Sequence, residues 1–134
     1  HPVDRRQRQM CIRDRGNFVL EESREATRSM FLNNPPEAVF VANDHMAFAV
    51  MDTLRYELGL KIPDDVSVVG YDDVPAASWP SYLLTTVQQP VNIMVRETVE
   101  ILIEKIENPE ARPQKIKVDG PLILRKSAKI HKGH

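Results

Sequence analysis

The sequence predicts an α/β fold built on a parallel sheet, and three observations carry that expectation. Two short β-branched runs, Ala38-Val39-Phe40-Val41-Ala42 and Val66-Ser67-Val68-Val69-Gly70-Tyr71, are followed directly by Asn43-Asp44 and Asp72-Asp73. Unbroken apolar runs of this length read as buried parallel strands whose sheet is covered by helices on both faces. Between and after them lie segments with helical periodicity, so strands and helices alternate as in a right-handed crossover fold.

The elements follow in order. Residues 21–33 read as a helix with Ala26 and Met30 on one face, stopped by Asn33-Asn34-Pro35-Pro36. Residues 37–42 are the first strand. Residues 45–58 form the clearest helix, because Ala47, Val50, Met51, Leu54 and Leu58 recur at helical spacing. Asp44 stands where an N-cap belongs, and Gly59 where a helix ends. Residues 66–71 are the second strand, 74–82 a loop with Pro75 and Pro80, and 84–87 a third short strand. Residues 91–107 form a second long helix with Val91, Val95, Val99, Leu102 and Ile106 along one stripe, broken by Pro109 and Pro113. Two more short strands are expected at 115–118 and 122–125, around Asp119-Gly120-Pro121.

Composition bounds the function. The 134 residues suffice for one domain with a modest core. The single cysteine, Cys11, excludes an internal disulfide and suits a reducing, cytoplasmic setting. No apolar run reaches membrane-spanning length, and no secretory signal is visible. Net charge is −1, but residues 1–15 carry five arginines against two aspartates, which leaves an acidic body. Such a body is a poor match for a phosphate backbone. The basic segment itself reads either as a nucleic-acid-binding arm or as a disordered or non-native tail. The second reading is preferred, because the segment has neither helical nor strand period.

The residues at the strand ends are the candidates for chemistry. In open α/β sheets ligands bind beyond the carboxyl ends of the strands. Asn43 offers a donor and an acceptor to a hydroxyl or a purine edge; its alternative role is a turn residue that caps the next helix. Asp72 can accept bonds from two neighbouring hydroxyls; its alternative role is a turn carboxylate satisfied by backbone N–H groups. Asp73 reads as support for the loop. A metal site from Asp44, Asp72 and Asp73 is disfavoured, because nothing else supplies a ligand at fixed spacing. No nucleophile elbow, paired-histidine zinc motif or phosphate-binding loop is present, and His45 reads as a solvent-facing residue, so neither an enzyme nor a cofactor is expected. Trp79 has no assignable role.

Four stretches resemble the LacI/GalR family of transcriptional regulators, in the family's order. They are Ala38-Val39-Phe40-Val41-Ala42-Asn43-Asp44-His45-Met46-Ala47, Ile62-Pro63-Asp64-Asp65-Val66-Ser67-Val68-Val69-Gly70-Tyr71-Asp72-Asp73, Leu84-Thr85-Thr86-Val87-Gln88-Gln89-Pro90 and Leu122-Ile123-Leu124-Arg125-Lys126-Ser127. The resemblance runs from about Gly16 to Lys129. It implies part of the effector-binding domain, a lobe of the periplasmic-binding-protein type I fold, incomplete here. On that basis residues 1–15 are a tail and 16–130 the C-terminal part of the effector-binding domain. Residues 16–88 would lie mainly in the C-terminal lobe, 91–118 would cross into the N-terminal lobe, and 131–134 would be a tail.

The resemblance also implies roles. Asn43 and Asp72 would contact a small sugar-like effector, with a nucleobase as second choice, and Phe18 would lie against the effector's flat face. Operator DNA would be read by a helix-turn-helix missing from this chain. The intact protein would be a cytoplasmic homodimer. Phe48, Asp52 and Arg55 form a stripe beside the core stripe of helix 45–58, and a large aromatic there calls for cover. The resemblance implies that this helix forms part of a two-fold subunit contact, with Phe48 near the axis. Some positions depart from the family's pattern: Arg24 and Val95 replace common glycines, and Tyr82 and Leu83 replace a usual proline. An alternative of a different class is an extracytoplasmic sugar-binding protein of a transport system, which shares the fold.

Overall fold

The computed structural model describes residues 19–131. Phe18 and the basic segment 1–15 lie outside the described residues. The elements are α1 (Val19–Met30), β1 (Ala38–Phe40), α2 (Asp44–Asp52) with a π-helical extension (Thr53–Glu57), β2 (Ser67–Asp72), a 3-10 turn (Pro75–Ser78), β3 (Thr85–Gln88), α3 (Val91–Glu107) and β4 (Leu122–Ile123). The strands form one sheet in the order β1-β2-β3-β4. The first three are parallel, with Val39 opposite Val68 and Gly70 opposite Thr86. β4 runs antiparallel to β3, with Ile123 opposite Thr86.

The core lies between α2 and one face of this sheet. From α2 and its extension come Met46, Ala47, Phe48, Val50, Met51 and Leu54; from the strands and their ends come Val39, Val41, Val66, Val68 and Leu84. Each of the large fully buried side chains contributes about 1.5–3 kcal/mol by leaving water. The buried Ser23 and Thr27 on α1 are small, and the Thr27 hydroxyl donates to the Ser23 carbonyl at 2.6 Å. A salt bridge from Arg28 on α1 to Glu57 ties α1 to the π-helical extension.

The helix expected as one piece over 45–58 changes pitch after Asp52. Leu58 N–H donates to the Thr53 carbonyl, five residues back, at 3.0 Å. This wider turn carries Leu58 off the core stripe, and it is 37% exposed. Gly59 then ends the element at φ +65°, a conformation that a Cβ would strain.

Three expectations are corrected. Covering helices on both faces of the sheet hold for one face only among the described residues. Val39 and Val68 are buried, whereas Phe40 and Tyr71 on the opposite face are 54% and 38% exposed. Residues 115–118 form no strand, because no described strand lies alongside to accept their ladder bonds. The apolar stripe of α3 is present but uncovered: none of its residues is buried, and Val91, Val95, Val99, Leu102 and Ile106 all face solvent. No helix among the described residues is long and apolar enough to cross a membrane.

Candidate functional site

The carboxyl ends of β1 and β2 lie side by side. The ladder continues one step past β1, where Val41 N–H donates to the Val69 carbonyl at 2.8 Å. The chain then turns into α2 at Asn43, whose backbone is extended (φ −152°, ψ 162°) and whose side-chain oxygen accepts from Met46 N–H at 2.9 Å. The N-cap is therefore Asn43, not Asp44 as expected. Capping occupies the Asn43 oxygen and, among the described residues, leaves the amide NH2 as a donor at a partly exposed strand end.

Asp44 does something different. It is fully buried, and its carboxylate accepts from the Thr86 hydroxyl at 2.6 Å and from Val74 N–H at 2.9 Å. One side chain thus ties the start of α2 to β3 and to the loop after β2. The carboxylate passes directly over Gly70, where a Cβ would lie 2.4 Å from Asp44 Oδ1 and 2.8 Å from Leu84 Cδ2. Gly70 is required by this close approach.

β2 ends on two residues with left-handed backbone, Asp72 at φ 134° and Asp73 at φ 60°. Non-glycine residues there cost about 1–3 kcal/mol each and persist only where the surroundings over-determine them. The surroundings here are specific. The Gln89 side-chain amide donates to Asp72 Oδ1, and Gln89 N–H donates to the Asp72 carbonyl at 3.3 Å. The Gln88 amide donates to Asp73 Oδ2 at 2.7 Å. Arg125 pairs with Asp73 Oδ1 at 2.7 Å, and both side chains are largely buried. Arg125 also donates to the Leu84 carbonyl at 2.9 Å, and its own N–H to the Thr85 hydroxyl at 3.0 Å.

The two carboxylates are therefore unlike. Asp73 is locked in a charge-assisted network that joins β2, β3 and the segment returning after β4. Asp72 is partly exposed and, among the described residues, holds a single side-chain donor. Asn43 and Asp72 are brought to the same edge of the sheet. Among the described residues no group of three His, Cys, Asp or Glu side chains is disposed to hold a metal ion.

The stripe proposed for a subunit contact is engaged within the chain. The Phe48 ring stacks on Tyr82, with centroids 4.2 Å apart and planes 28° apart, and meets the His45 ring edge-on. Phe48 is 8% exposed. The Tyr82 hydroxyl donates to Asp52 at 3.2 Å, and Arg55 donates to the Ser81 carbonyl at 2.5 Å. Tyr82, one of the departures from the family's pattern, supplies the cover that Phe48 needs. The reason for expecting a partner subunit to cover this ring falls away. Burial, reinforced by the Asp52 carboxylate, raises the Tyr82 phenol above its ordinary pKa.

Gln88, Gln89 and Arg125 carry no role in the sequence reading, although they fall inside the quoted motifs. The available signal is two consecutive amides directly before Pro90, where β3 leaves the sheet.

A family model described as a periplasmic binding protein-like domain matches residues 3–128. The chain belongs to the periplasmic binding protein-like domain family. Curated proteins similar to the chain include repressors. The HTH-type transcriptional repressor PurR of Photobacterium profundum is 34% identical over 115 residues, covering 85% of this chain and 34% of that protein. The ribose operon repressor of Escherichia coli is 36% identical over 115 residues, covering 84% of this chain and 34% of that protein. Among solved structures, a LacI family transcriptional regulator from Lactobacillus casei with bound sucrose superposes with a TM-score of 0.67 at 31% identity, covering 81% of this chain and 40% of that one. These matches agree with the LacI-type resemblance of the four motifs. The chain spans about a third of the length of the curated relatives it matches.

Proposed function

We propose that this chain is the effector-sensing part of a longer LacI-type transcriptional repressor that binds a small neutral sugar between two lobes. The observation that carries the reading is the pairing of Asn43 and Asp72 on one sheet edge. An amide donor and a partly exposed carboxylate, at the carboxyl ends of adjacent parallel strands, suit neighbouring sugar hydroxyls. The strained backbone at Asp72 and Asp73 supports the same reading, since such strain clusters at ligand sites. The sucrose found in the Lactobacillus casei regulator favours a sugar over a nucleobase. Curated relatives that are repressors favour a regulator over a transport component and over an enzyme.

In this reading residues 16–88 belong mainly to one lobe, and α3 reaches toward the other, which would cover its exposed apolar stripe. Phe18, which lies outside the described residues, remains the further effector contact that the resemblance implies. Sugar binding changes the angle between the lobes and, through it, the affinity of a helix-turn-helix for operator DNA. The sugar acts only through its different affinity for the two lobe arrangements. The intact protein works as a cytoplasmic homodimer; the family resemblance still places the helix face of Phe48, Asp52 and Arg55 toward the subunit contact, although Tyr82 rather than a partner covers the Phe48 ring. The test is a mobility-shift titration of the full-length protein on its own upstream DNA, with sucrose, ribose and glucose added. A sugar-dependent change in affinity that disappears in Asp72→Ala is expected. Binding indifferent to all three sugars would overturn the reading.

A further inference from the structure

The Asp72 carboxylate is already spoken for, and by a residue that sits at a mechanically significant point. Gln89 is the last residue before Pro90 and α3, so it marks the exit of the chain from the sheet. Its side-chain amide donates to Asp72 Oδ1, and its own N–H reaches the Asp72 carbonyl at 3.3 Å, long for a backbone bond. The next residue is proline and offers no N–H. One step earlier the attachment is of a different kind. Gln88 N–H donates to the Pro121 carbonyl at 2.8 Å, its amide to Asp73 at 2.7 Å, and Asp73 is held by Arg125 at 2.7 Å. The outgoing and returning segments are therefore clamped at Gln88 and Arg125. Beyond them, the exit is held to the sheet through Asp72.

We propose that Gln89 is an intramolecular competitor for the Asp72 carboxylate, which couples occupancy of the site to the segment leaving the sheet. This inference rests on Asp72 being an effector contact. An amide NH2 on a carboxylate oxygen presents what a sugar hydroxyl presents, one donor to one lone pair. A sugar that sets two adjacent hydroxyls on the two Asp72 oxygens competes with the amide for its position at Oδ1. Displacement removes the stronger of the two ties at position 89, while the clamp at Gln88, Asp73 and Arg125 stays closed. Motion then begins at the Gln89–Pro90 step and is passed to α3. Gln89 is in this sense a positioning residue. In the empty site it holds the carboxylate in place and reduces the fraction of molecules ready for sugar, which weakens apparent affinity by that fraction.

The test uses the full-length protein, titrated calorimetrically with sucrose and with ribose, beside hydrogen exchange of residues 88–92. Gln89→Met keeps the side chain's length and removes the donor. It is expected to bind the sugar about three- to tenfold more tightly than wild type. Saturating sugar is expected to speed exchange at the amides of residues 89 and 91 in wild type but not at Gln88, and Gln89→Met is expected to exchange fast at those two amides without sugar. Affinity unchanged or weakened in folded Gln89→Met would overturn the proposal. Should that variant not fold, wild-type exchange at the amides of residues 89 and 91 that is unaltered by saturating sugar overturns it equally. Asp72→Ala separates the two claims. Affinity unchanged in Asp72→Ala refutes Asp72 as an effector contact and the proposal with it. Affinity lost there, with no gain in Gln89→Met, refutes the proposal alone, and a wild-type protein that binds neither sugar overturns both.

Discussion

Replacing Gly70 by alanine drives a methyl group into the Asp44 carboxylate. The new Cβ would lie 2.4 Å from Asp44 Oδ1 and 2.8 Å from Leu84 Cδ2. Leu84 Cδ2 is the end of a side chain and can yield. The carboxylate cannot rotate away without dropping the Thr86 hydroxyl and Val74 N–H, both now bonded within 2.9 Å. Overpacking a core costs about 1–3 kcal/mol, and each buried donor left without an acceptor adds about 1–3 kcal/mol. Alanine recovers about 0.5–1 kcal/mol over glycine in a strand. Gly70→Ala should therefore destabilise by about 2–4 kcal/mol, and Asp44→Ala, which orphans both donors, by about 3–5 kcal/mol. In the double variant the carboxylate is gone, and the new methyl meets Leu84 closely and Thr86 Oγ1 only at ordinary contact distance, 3.4 Å. The combined loss should fall short of the sum by about 1–2 kcal/mol. Urea unfolding of the full-length protein and the three variants, at one protein concentration, measures the cycle. Additivity within about 0.5 kcal/mol would mean that Asp44 does not rest on Gly70, and would refute the reasoning.

Other perturbations probe the site and its surroundings. Asp72→Ala should cost about 2 kcal/mol of sugar affinity by calorimetry, with a smaller loss in Asp73→Ala. Asp73→Ala should instead lower the urea midpoint, by about 3 kcal/mol of stability, since it leaves Arg125 largely buried without its partner. Because folding raises the Tyr82 phenol's pKa, its contribution is complete below the ordinary tyrosine value of about 10 and is lost as pH rises through the folded value. Thermal melts across alkaline pH should decline less in Tyr82→Phe than in wild type. The Glu57 carboxyl is held below its ordinary pKa, chiefly by its hydrogen bond to Arg28. That contribution is present above the ordinary carboxylate range and fades as pH falls through the folded value. Glu57→Gln should flatten the acid limb of the same melts.

Local signals made much of the fold legible. The β-branched runs and the helical period of 91–107 specify their elements without help from distant residues, and α3 runs over Val91–Glu107 as the spacing predicts. What the sequence left open depends on contacts far apart in the chain. Asn43 and Asp44 are equally good capping residues by type. The choice falls to Asn43 because Asp44 finds Thr86, 42 positions away, and sinks into the core. Phe48 reads as a ring in need of a partner until Tyr82 folds over it from the next loop. A strand at 115–118 needs a neighbouring ladder, and none lies there among the described residues. At the site, Asn43 and Asp72 are legible because amides and carboxylates at strand ends are unusual enough to notice. Gln88, Gln89 and Arg125 are common surface types, and their roles appear only when β3 is laid beside β2.

The most direct test of the account is a crystal structure of the full-length protein with the sugar it binds. The account predicts a sugar at the carboxyl ends of β1 and β2, two of its hydroxyls on the Asp72 carboxylate and one against the Asn43 amide. The Gln89 amide should be withdrawn from Asp72, and Asp73 should remain paired with Arg125. A sugar bound elsewhere, or bound at this edge without touching Asp72, would contradict it.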